Sequence, residues 1–381
     1  MGRIPKRIVF SYILDWIVIL ATVVAGGVFS RITPNKRPFS PVDASISFPF
    51  VHKEKVSTAV LVISAVIGPG IVIFLVCLLF IPGPTPRSSK WQLWQRKAWE
   101  LNTGWLGLGL SCAAAFLFTN GSKNLFGKPR PDLLSRCNPD LAKISDYAVG
   151  GFGDKVQEGI LLVSAAICKN TDKSRLNDGF RSFPSGHSSL SWAGLAYLTL
   201  FLSAKFAITI PYLAPRVFGK QIQRSSTADR VFDSDTPLRS QAAAPPLYLL
   251  IIAVIPIGAA TYISSTRYSD FRHHGFDILF GSAIGFVSAW FAFRWYHLPV
   301  QRGAGYAWGA RSPSRAFGIG IGAGSYAGSE DSGREKTAKD PDLEGGPVAP
   351  GSHAGGDTIE MDDYAEETGA VSGSSPQRLN R

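Results

Sequence analysis

The chain of 381 residues is 45% hydrophobic and 12% aromatic but only 18% charged, against roughly 25% charged in an ordinary soluble chain. Long apolar runs alternate with polar loops. Together these features exclude a single soluble globule, a coiled coil and a disulfide-dense secreted domain, and they indicate an all-α polytopic membrane protein. The net charge of +11 is uneven: residues 330–381 carry 12 acidic and five basic side chains, leaving 34 basic and 16 acidic side chains in the rest. Such a body suits anionic headgroups or phosphorylated substrates. Cations on short loops between apolar runs make a poor nucleic-acid surface, so no nucleic-acid partner is expected.

Six apolar stretches follow in chain order after a short N-terminus (1–7): 8–29, 56–81, 101–119, 188–204, 247–264 and 276–294. A helix needs about 20 apolar residues to cross a bilayer. The fourth and fifth stretches are marginal on length and would read as buried core helices if met alone; in this company they read as spans. The first is interrupted only by Asp15, the second carries Gly68-Pro69-Gly70 as an expected kink, and the fifth contains Pro256. Lys6 and Arg7 precede the first span, but no small-residue cleavage site follows, so it reads as a retained helix. An Asp inside a span costs roughly 2.5–3.5 kcal/mol at its centre, so Asp15 is expected to face the bundle in a structural polar contact.

Six spans place both termini on one side of the membrane. The loops 84–99 and 205–241 join them there with several Arg and Lys residues, which makes that side cytoplasmic. The helical domain is expected over 8–296. Residues 120–184 form a long non-cytoplasmic loop whose apolar stretch 160–167 is too short to cross and is expected to pack on the membrane face or cap the bundle. Residues 303–381 hold 16 glycines and most of the acidic excess; they read as a disordered cytoplasmic tail. Cys77 and Cys112 lie within spans as small apolar residues. Cys137 and Cys168 share the long loop, where a disulfide is permitted, and the sequence leaves a bridge or two free thiols open. Asn120-Gly121-Ser122 is a glycosylation sequon at the end of a span and is expected to be unused.

Three polar clusters lie at the non-cytoplasmic ends of spans. The first runs from Lys123 through Arg130-Pro131-Asp132. The second is Ser182-Phe183-Pro184-Ser185-Gly186-His187. The third runs from Thr266-Arg267 to His273-His274-Gly275-Phe276-Asp277. Hydropathy and loop charge set this topology without these clusters, so their falling on one face is an independent check. Lys123, Arg130 and Arg267 offer a compact charge and two planar forks for phosphate oxygens. Any one of them alone would read as a lipid-headgroup contact. Ser185 and Gly186 sit where span four begins, and backbone amides at a helix start bind anions; Ser185 alone would read as a helix cap. His187 can protonate a leaving oxygen. If the sixth helix begins near His273, then His273 and Asp277 share a face, and the carboxylate can orient the ring. Taken in isolation the pair reads as a loop histidine beside a helix-start aspartate. His274 lacks a partner at that offset. The clusters hold too few carboxylates and too many cations for a divalent ion, so the expected site is anion-binding, with no metal and no cofactor.

Lys123-x6-Arg130-Pro131, Pro184-Ser185-Gly186-His187 and Arg267-x5-His273-x3-Asp277 together resemble the three-part signature of type 2 phosphatidic acid phosphatases. That superfamily also includes glucose-6-phosphatase and the vanadium haloperoxidases. Arg37-Pro38-Phe39-Ser40 with Ala44 to Pro49, and Ser11 to Trp16, further resemble the fungal diacylglycerol pyrophosphate phosphatase branch. Thr266 departs from the serine usual before the arginine but keeps the hydroxyl. The resemblance implies a six-helix bundle and a membrane phospholipid substrate: phosphatidate, diacylglycerol pyrophosphate or lysophosphatidate. It implies His273 as nucleophile, Asp277 as the residue orienting it and His187 as general acid and base. Lys123, Arg130, Ser185, Gly186 and Arg267 would hold the phosphate. Asp132 and Arg136 receive no role. A sphingoid-base phosphate phosphatase or a phosphatase of soluble esters would share every catalytic residue. A non-catalytic lipid-binding protein would ordinarily lack them. The organelle (vacuole, Golgi, endoplasmic reticulum or plasma membrane) and the oligomeric state are not encoded in these features.

Overall fold

A run of apolar residues in lipid must satisfy its own backbone hydrogen bonds, and a helix does so within one segment. The computed structural model describes residues 5–81, 90–151, 161–211, 243–301, 305–317 and 326–327, and it meets this requirement almost entirely with helices. In chain order these are α1 (Lys6–Arg31), α2 (Thr58–Val62), α3 (Gly68–Leu79), α4 (Lys90–Phe126), α5 (Leu133–Cys137), α6 (Lys173–Gly179), α7 (Gly186–Lys205), α8 (Leu247–Ser269) and α9 (Gly275–Tyr296). The chain is an all-α polytopic membrane protein. The loop 205–241 is described only as far as residue 211 and the loop 84–99 only from residue 90; the remainder of both lies outside the described residues.

Among the described residues five helices are long and apolar enough to cross a bilayer: α1, the Thr58–Leu79 segment, α4, α8 and α9. The second of these is not a plain helix. A π-helical turn, Ile63–Ile67, joins α2 to α3 immediately before Gly68-Pro69-Gly70. The expected kink is thus a local change of hydrogen-bond register.

The fourth expected span is α7, 20 residues long and rich in Ser, Gly and Ala. Its modest apolarity follows from its position. Ser188, Ser191, Ala193, Gly194, Tyr197 and Phe201 are all buried, because α4, α8, α9 and the π turn pack around it. A Cβ on Gly194 would sit 1.6 Å from the Ala65 carbonyl oxygen, so only glycine permits this approach. Polar side chains bridge the helices: Ser111 Oγ donates to the Ala193 carbonyl at 2.9 Å, Thr119 Oγ1 to Ser189 Oγ at 2.8 Å, and Thr199 Oγ1 to the Ala253 carbonyl at 2.8 Å. Small residues with interhelical hydrogen bonds hold helices together where lipid removes the hydrophobic drive.

The long loop folds into a cap. Phe39 and Ile46 from the loop after α1 pack with Leu133, Val163, Ile167, Leu176 and Phe180 in a small apolar core of its own. A two-stranded ribbon, Ala148–Gly151 with Leu161–Val163, lies beside it. Of the apolar stretch 160–167, Val163 and Ile167 are buried in this small core. Cys137 and Cys168 form a disulfide.

At the other end, part of the expected tail packs on the bundle. Arg311 Nη2 pairs with Asp15 Oδ2 at 2.8 Å, the Tyr296 hydroxyl donates to the same oxygen at 3.2 Å, and Ser11 Oγ donates to the Ala316 carbonyl at 2.9 Å. Lys205 Nζ pairs with Glu100 and donates to the Gly305 carbonyl, while Ala307 N donates to Glu100. Residues 305–317 therefore belong to the folded body, which corrects the tail boundary at 303. The carboxylate of Asp15 has the structural partner expected of it. Apart from 305–317 and 326–327, residues 303–381 lie outside the described residues.

Candidate active site

Antiparallel helices bring alternate chain ends to one face. The end of α4 supplies Lys123, the start of α7 supplies Ser185, Gly186 and His187, the end of α8 supplies Arg267, and the turn before α9 supplies His273. Arg130 lies in the stretch leading into α5. The three clusters converge. A Cβ on Gly186 would lie 2.9 Å from Lys123 Nζ, so the missing side chain admits the ammonium to the start of α7. The charges of Lys123 and Arg130 act on both His187 and His273, and that of Arg267 acts on His187. Ser185 caps α7, its Oγ accepting from Ser188 N at 3.4 Å. Its own N–H donates to the Asp277 carbonyl at 2.9 Å, tying the start of α7 to the start of α9.

His273 is 3% exposed. Its Nδ1 lies 2.6 Å from the Ser182 carbonyl oxygen. A carbonyl only accepts, so Nδ1 carries the proton and Nε2 keeps its lone pair. Burial, reinforced by the charges of Arg130 and Lys123, pushes the pKa of His273 well below the ordinary imidazole value. The ring is neutral at physiological pH and competent as a nucleophile. The His187 ring is steadied by the Val56 backbone, and its Nε2 is buried without a partner. That nitrogen is available to a group the site binds.

The expected contact between His273 and Asp277 is not the one formed. Asp277 Oδ2 accepts from Ser182 Oγ at 2.6 Å, from the His274 backbone N–H at 3.0 Å and from His274 Nδ1 at 3.2 Å; Oδ1 accepts from Lys128 Nζ at 2.8 Å. Helix α9 begins at Gly275. His273 thus lies outside the helix, and the four-residue spacing no longer places it over Asp277. His274, at the N-cap, takes the carboxylate instead. Asp277 reaches His273 only through Ser182, whose hydroxyl it holds and whose carbonyl fixes the ring.

The arginines are backed by carboxylates. Arg130 Nη2 meets Asp178 Oδ1 at 2.8 Å, while its Nε is buried and unpartnered. Arg267, 1% exposed, meets Glu54 Oε2 at 2.7 Å and Asp270 Oδ2 at 3.0 Å. Arg136 and Asp132, without a role in the sequence, form a buried pair at 2.8 Å that also reaches Asp178. Burial alone would raise the Asp178 carboxyl, but Arg130, Arg136, Lys123 and Arg272 outweigh it and hold it down to about 2. Sequence reasoning gave no role to Ser182, Lys128, Asp178, Glu54 or Arg272. Ser182, Lys128 and Arg272 carried a signal, by falling inside the motif clusters; Glu54 and Asp178 carried none. Among the described residues no three His, Cys, Asp or Glu side chains gather into a metal-binding group.

Cations, a neutral buried imidazole and a second imidazole with an unpartnered nitrogen thus gather at one end of a membrane helix bundle. The model of the PAP2 superfamily matches residues 104–300, and the chain belongs to that superfamily. Diacylglycerol pyrophosphate phosphatase 1 of Saccharomyces cerevisiae is 28% identical over 268 residues, covering 70% of this chain and 73% of the relative. Probable diacylglycerol pyrophosphate phosphatase 1 of Schizosaccharomyces pombe is 28% identical over 288 residues, 75% of this chain and 82% of the relative. Lipid phosphate phosphatase 2 of Arabidopsis thaliana is 30% identical over 201 residues, 53% of each chain. No solved structure matches.

Proposed function

We propose that this chain is an integral membrane lipid phosphate phosphatase acting on phosphatidate, diacylglycerol pyrophosphate or lysophosphatidate through a phosphohistidine. The observation that carries the reading is the His273 ring, buried, neutral and fixed by the Ser182 carbonyl with Nε2 free, beside Lys123 and Arg130. The named yeast relatives and the loop between α1 and α2 point to the lipid class. Phosphoryl transfer asks mainly for positioning and charge stabilisation. Nε2 of His273 attacks phosphorus as the bond to the leaving oxygen breaks. His187 gives that oxygen a proton and then takes one from the water that cleaves the phosphorus–nitrogen bond. Lys123, Arg130, Arg267, Ser185 and the Gly186 backbone hold the equatorial oxygens, supplying the positive charge that a metal provides elsewhere. Asp277 positions His273 by way of Ser182. The site faces the non-cytoplasmic side and both termini the cytoplasm, in an endomembrane or the plasma membrane, supported by the loop charges.

The test is phosphate release by the full chain in detergent micelles with excess EDTA, comparing diacylglycerol pyrophosphate, phosphatidate and sphingosine phosphate. EDTA-resistant release that vanishes in His273→Ala supports the reading, and the ranking of rates names the lipid. Release that needs metal, or survives the substitution, overturns it.

A further inference from the structure

The arginines assigned to phosphate, Arg130 and Arg267, come from motifs far apart in the chain, yet one unbroken series of ion pairs connects them. Arg267 Nη1 meets Glu54 Oε2 at 2.7 Å; Glu54 Oε1 meets Arg272 Nη2 at 2.7 Å; Arg272 Nη1 lies 3.6 Å from Asp178 Oδ2; and Asp178 Oδ1 meets Arg130 Nη2 at 2.8 Å. The charges alternate at every step. The middle three members belong to different parts of the fold: Glu54 to the loop before α2, Arg272 to the turn beside His273, and Asp178 to α6 of the cap. Phe50 fills the space beneath, with the guanidinium carbons of Arg136, Arg175 and Arg272 at 4.7, 4.0 and 4.9 Å from its ring centroid. These stacked contacts fix Arg272 from its face while the carboxylates hold its ends.

We propose that Glu54 and Asp178 are positioning residues that, through Arg272, set the spacing of Arg267 and Arg130 before phosphate arrives. The inference rests on the reading of those two arginines as phosphate ligands. Like charges gathered without counter-ions repel and move apart, which would have to be reversed on binding. Carboxylates placed behind them remove that cost and leave the front donors free. Arg130 illustrates the division: one Nη2 proton goes to Asp178 while its buried Nε has no partner. Arg267 likewise directs Nε and Nη2 to Thr266 and Asp270, and gives Glu54 one of its two Nη1 protons. Donors fixed in advance stabilise a transition state without reorganisation. The series also couples the cap and the loop before α2 to the catalytic turn.

Inhibition constants for orthovanadate and inorganic phosphate test this on the full chain in micelles, because they do not depend on the fraction of active protein. Vanadate adopts the five-coordinate shape of the transition state and needs the arginines in register; phosphate does not. Glu54→Gln and Asp178→Asn should each weaken vanadate about tenfold, the scale of one charge-assisted hydrogen bond, and phosphate by no more than about twofold. The double variant should lose less than the product of the singles, since both act through Arg272. Asp178→Glu should restore most of the loss. If Asp178→Asn does not fold, Glu54→Gln combined with Arg272→Lys gives the same cycle. Unchanged vanadate constants, equal losses for vanadate and phosphate, or losses that multiply independently would overturn the proposal. Turnover in His273→Ala separates the two claims: its loss keeps the phosphohistidine reading whatever the cycle shows, and its survival removes that reading instead.

Discussion

The indirect link from Asp277 to His273 makes a prediction that a direct contact would not. Removing the Ser182 hydroxyl in Ser182→Ala leaves the Ser182 carbonyl in place, so the bond to His273 Nδ1 can still form. What disappears is the 2.6 Å bond from Ser182 Oγ to the Asp277 carboxylate, which is fully buried. A hydrogen bond to a charged group contributes about 1.5–3 kcal/mol. If about half of that reaches the positioning of the imidazole, kcat/KM falls roughly three- to tenfold, since ~1.4 kcal/mol is a factor of ten. Asp277→Asn should cost more, on the order of a hundredfold, because an amide cannot accept from Ser182, His274 and Lys128 together and leaves an ammonium near its end without a counter-ion. The assay is initial-rate phosphate release from mixed micelles over a range of lipid surface concentrations, with the double variant closing the cycle. Strong loss in Asp277→Asn with wild-type kcat/KM in Ser182→Ala would refute the reasoning and restore a direct contact between Asp277 and His273.

Other expectations follow from the same geometry. Reduction of Cys137–Cys168, or Cys137→Ser with Cys168→Ser, should remove about 3–4 kcal/mol of cap stability for a 31-residue separation, read as an earlier thermal transition and a parallel loss of activity. Arg311→Ala at the opposite end should lower the melting temperature by a few degrees, on the scale of a part-exposed ion pair worth about 1 kcal/mol, while leaving kcat/KM for lipid unchanged. Gly194→Ala should prevent α7 from seating against Ala65 and cause loss of folded protein, seen as aggregation on size-exclusion chromatography. The pKa of His273 is lowered in the folded state, so the unfolded chain takes up a proton below pH 6.5 that the folded protein refuses. Stability therefore falls as pH drops through 6.5, by up to ~1.4 kcal/mol per pH unit for this group, and His273→Asn should flatten that part of a melting-temperature profile. Asp178 acts in the same sense at lower pH: its contribution is present above 3.8 and is lost as pH falls towards 2.

The spans were legible because a bilayer demands about 20 apolar residues in sequence, and such runs are local. The convergence of Lys123, His187 and Arg267 was legible for a related reason: with antiparallel spans, counting crossings assigns each cluster to a face. Contacts that depend on where a helix begins were not. A start at Gly275 rather than near His273 moved the carboxylate of Asp277 from one histidine to the next. Glu54, Asp178 and Arg272 are scattered over more than 200 residues and follow no period, so no local pattern joins them. Residues 305–317 misled by composition: glycine-rich and poor in aliphatics, they nonetheless place Trp308, Arg311 and Ala316 against α1, α4 and α9. The charge of Asp15 inside a span was the one hint that something polar had to meet it.

The central claim is that His273 carries the phosphoryl group, and trapping the intermediate tests it most directly. Detergent-solubilised protein would be mixed with diacylglycerol pyrophosphate radiolabelled in its terminal phosphate, in excess chelator, and stopped in alkali within the first turnover. In His187→Ala the step that needs water activated is slowed most, because the phosphate leaving group of this substrate departs with little protonation; label should therefore accumulate on the protein in an alkali-stable, acid-labile bond and map to His273, and in His273→Ala no label should appear. Label that persists in His273→Ala, or phosphate released with no labelled protein at any time, would contradict the account.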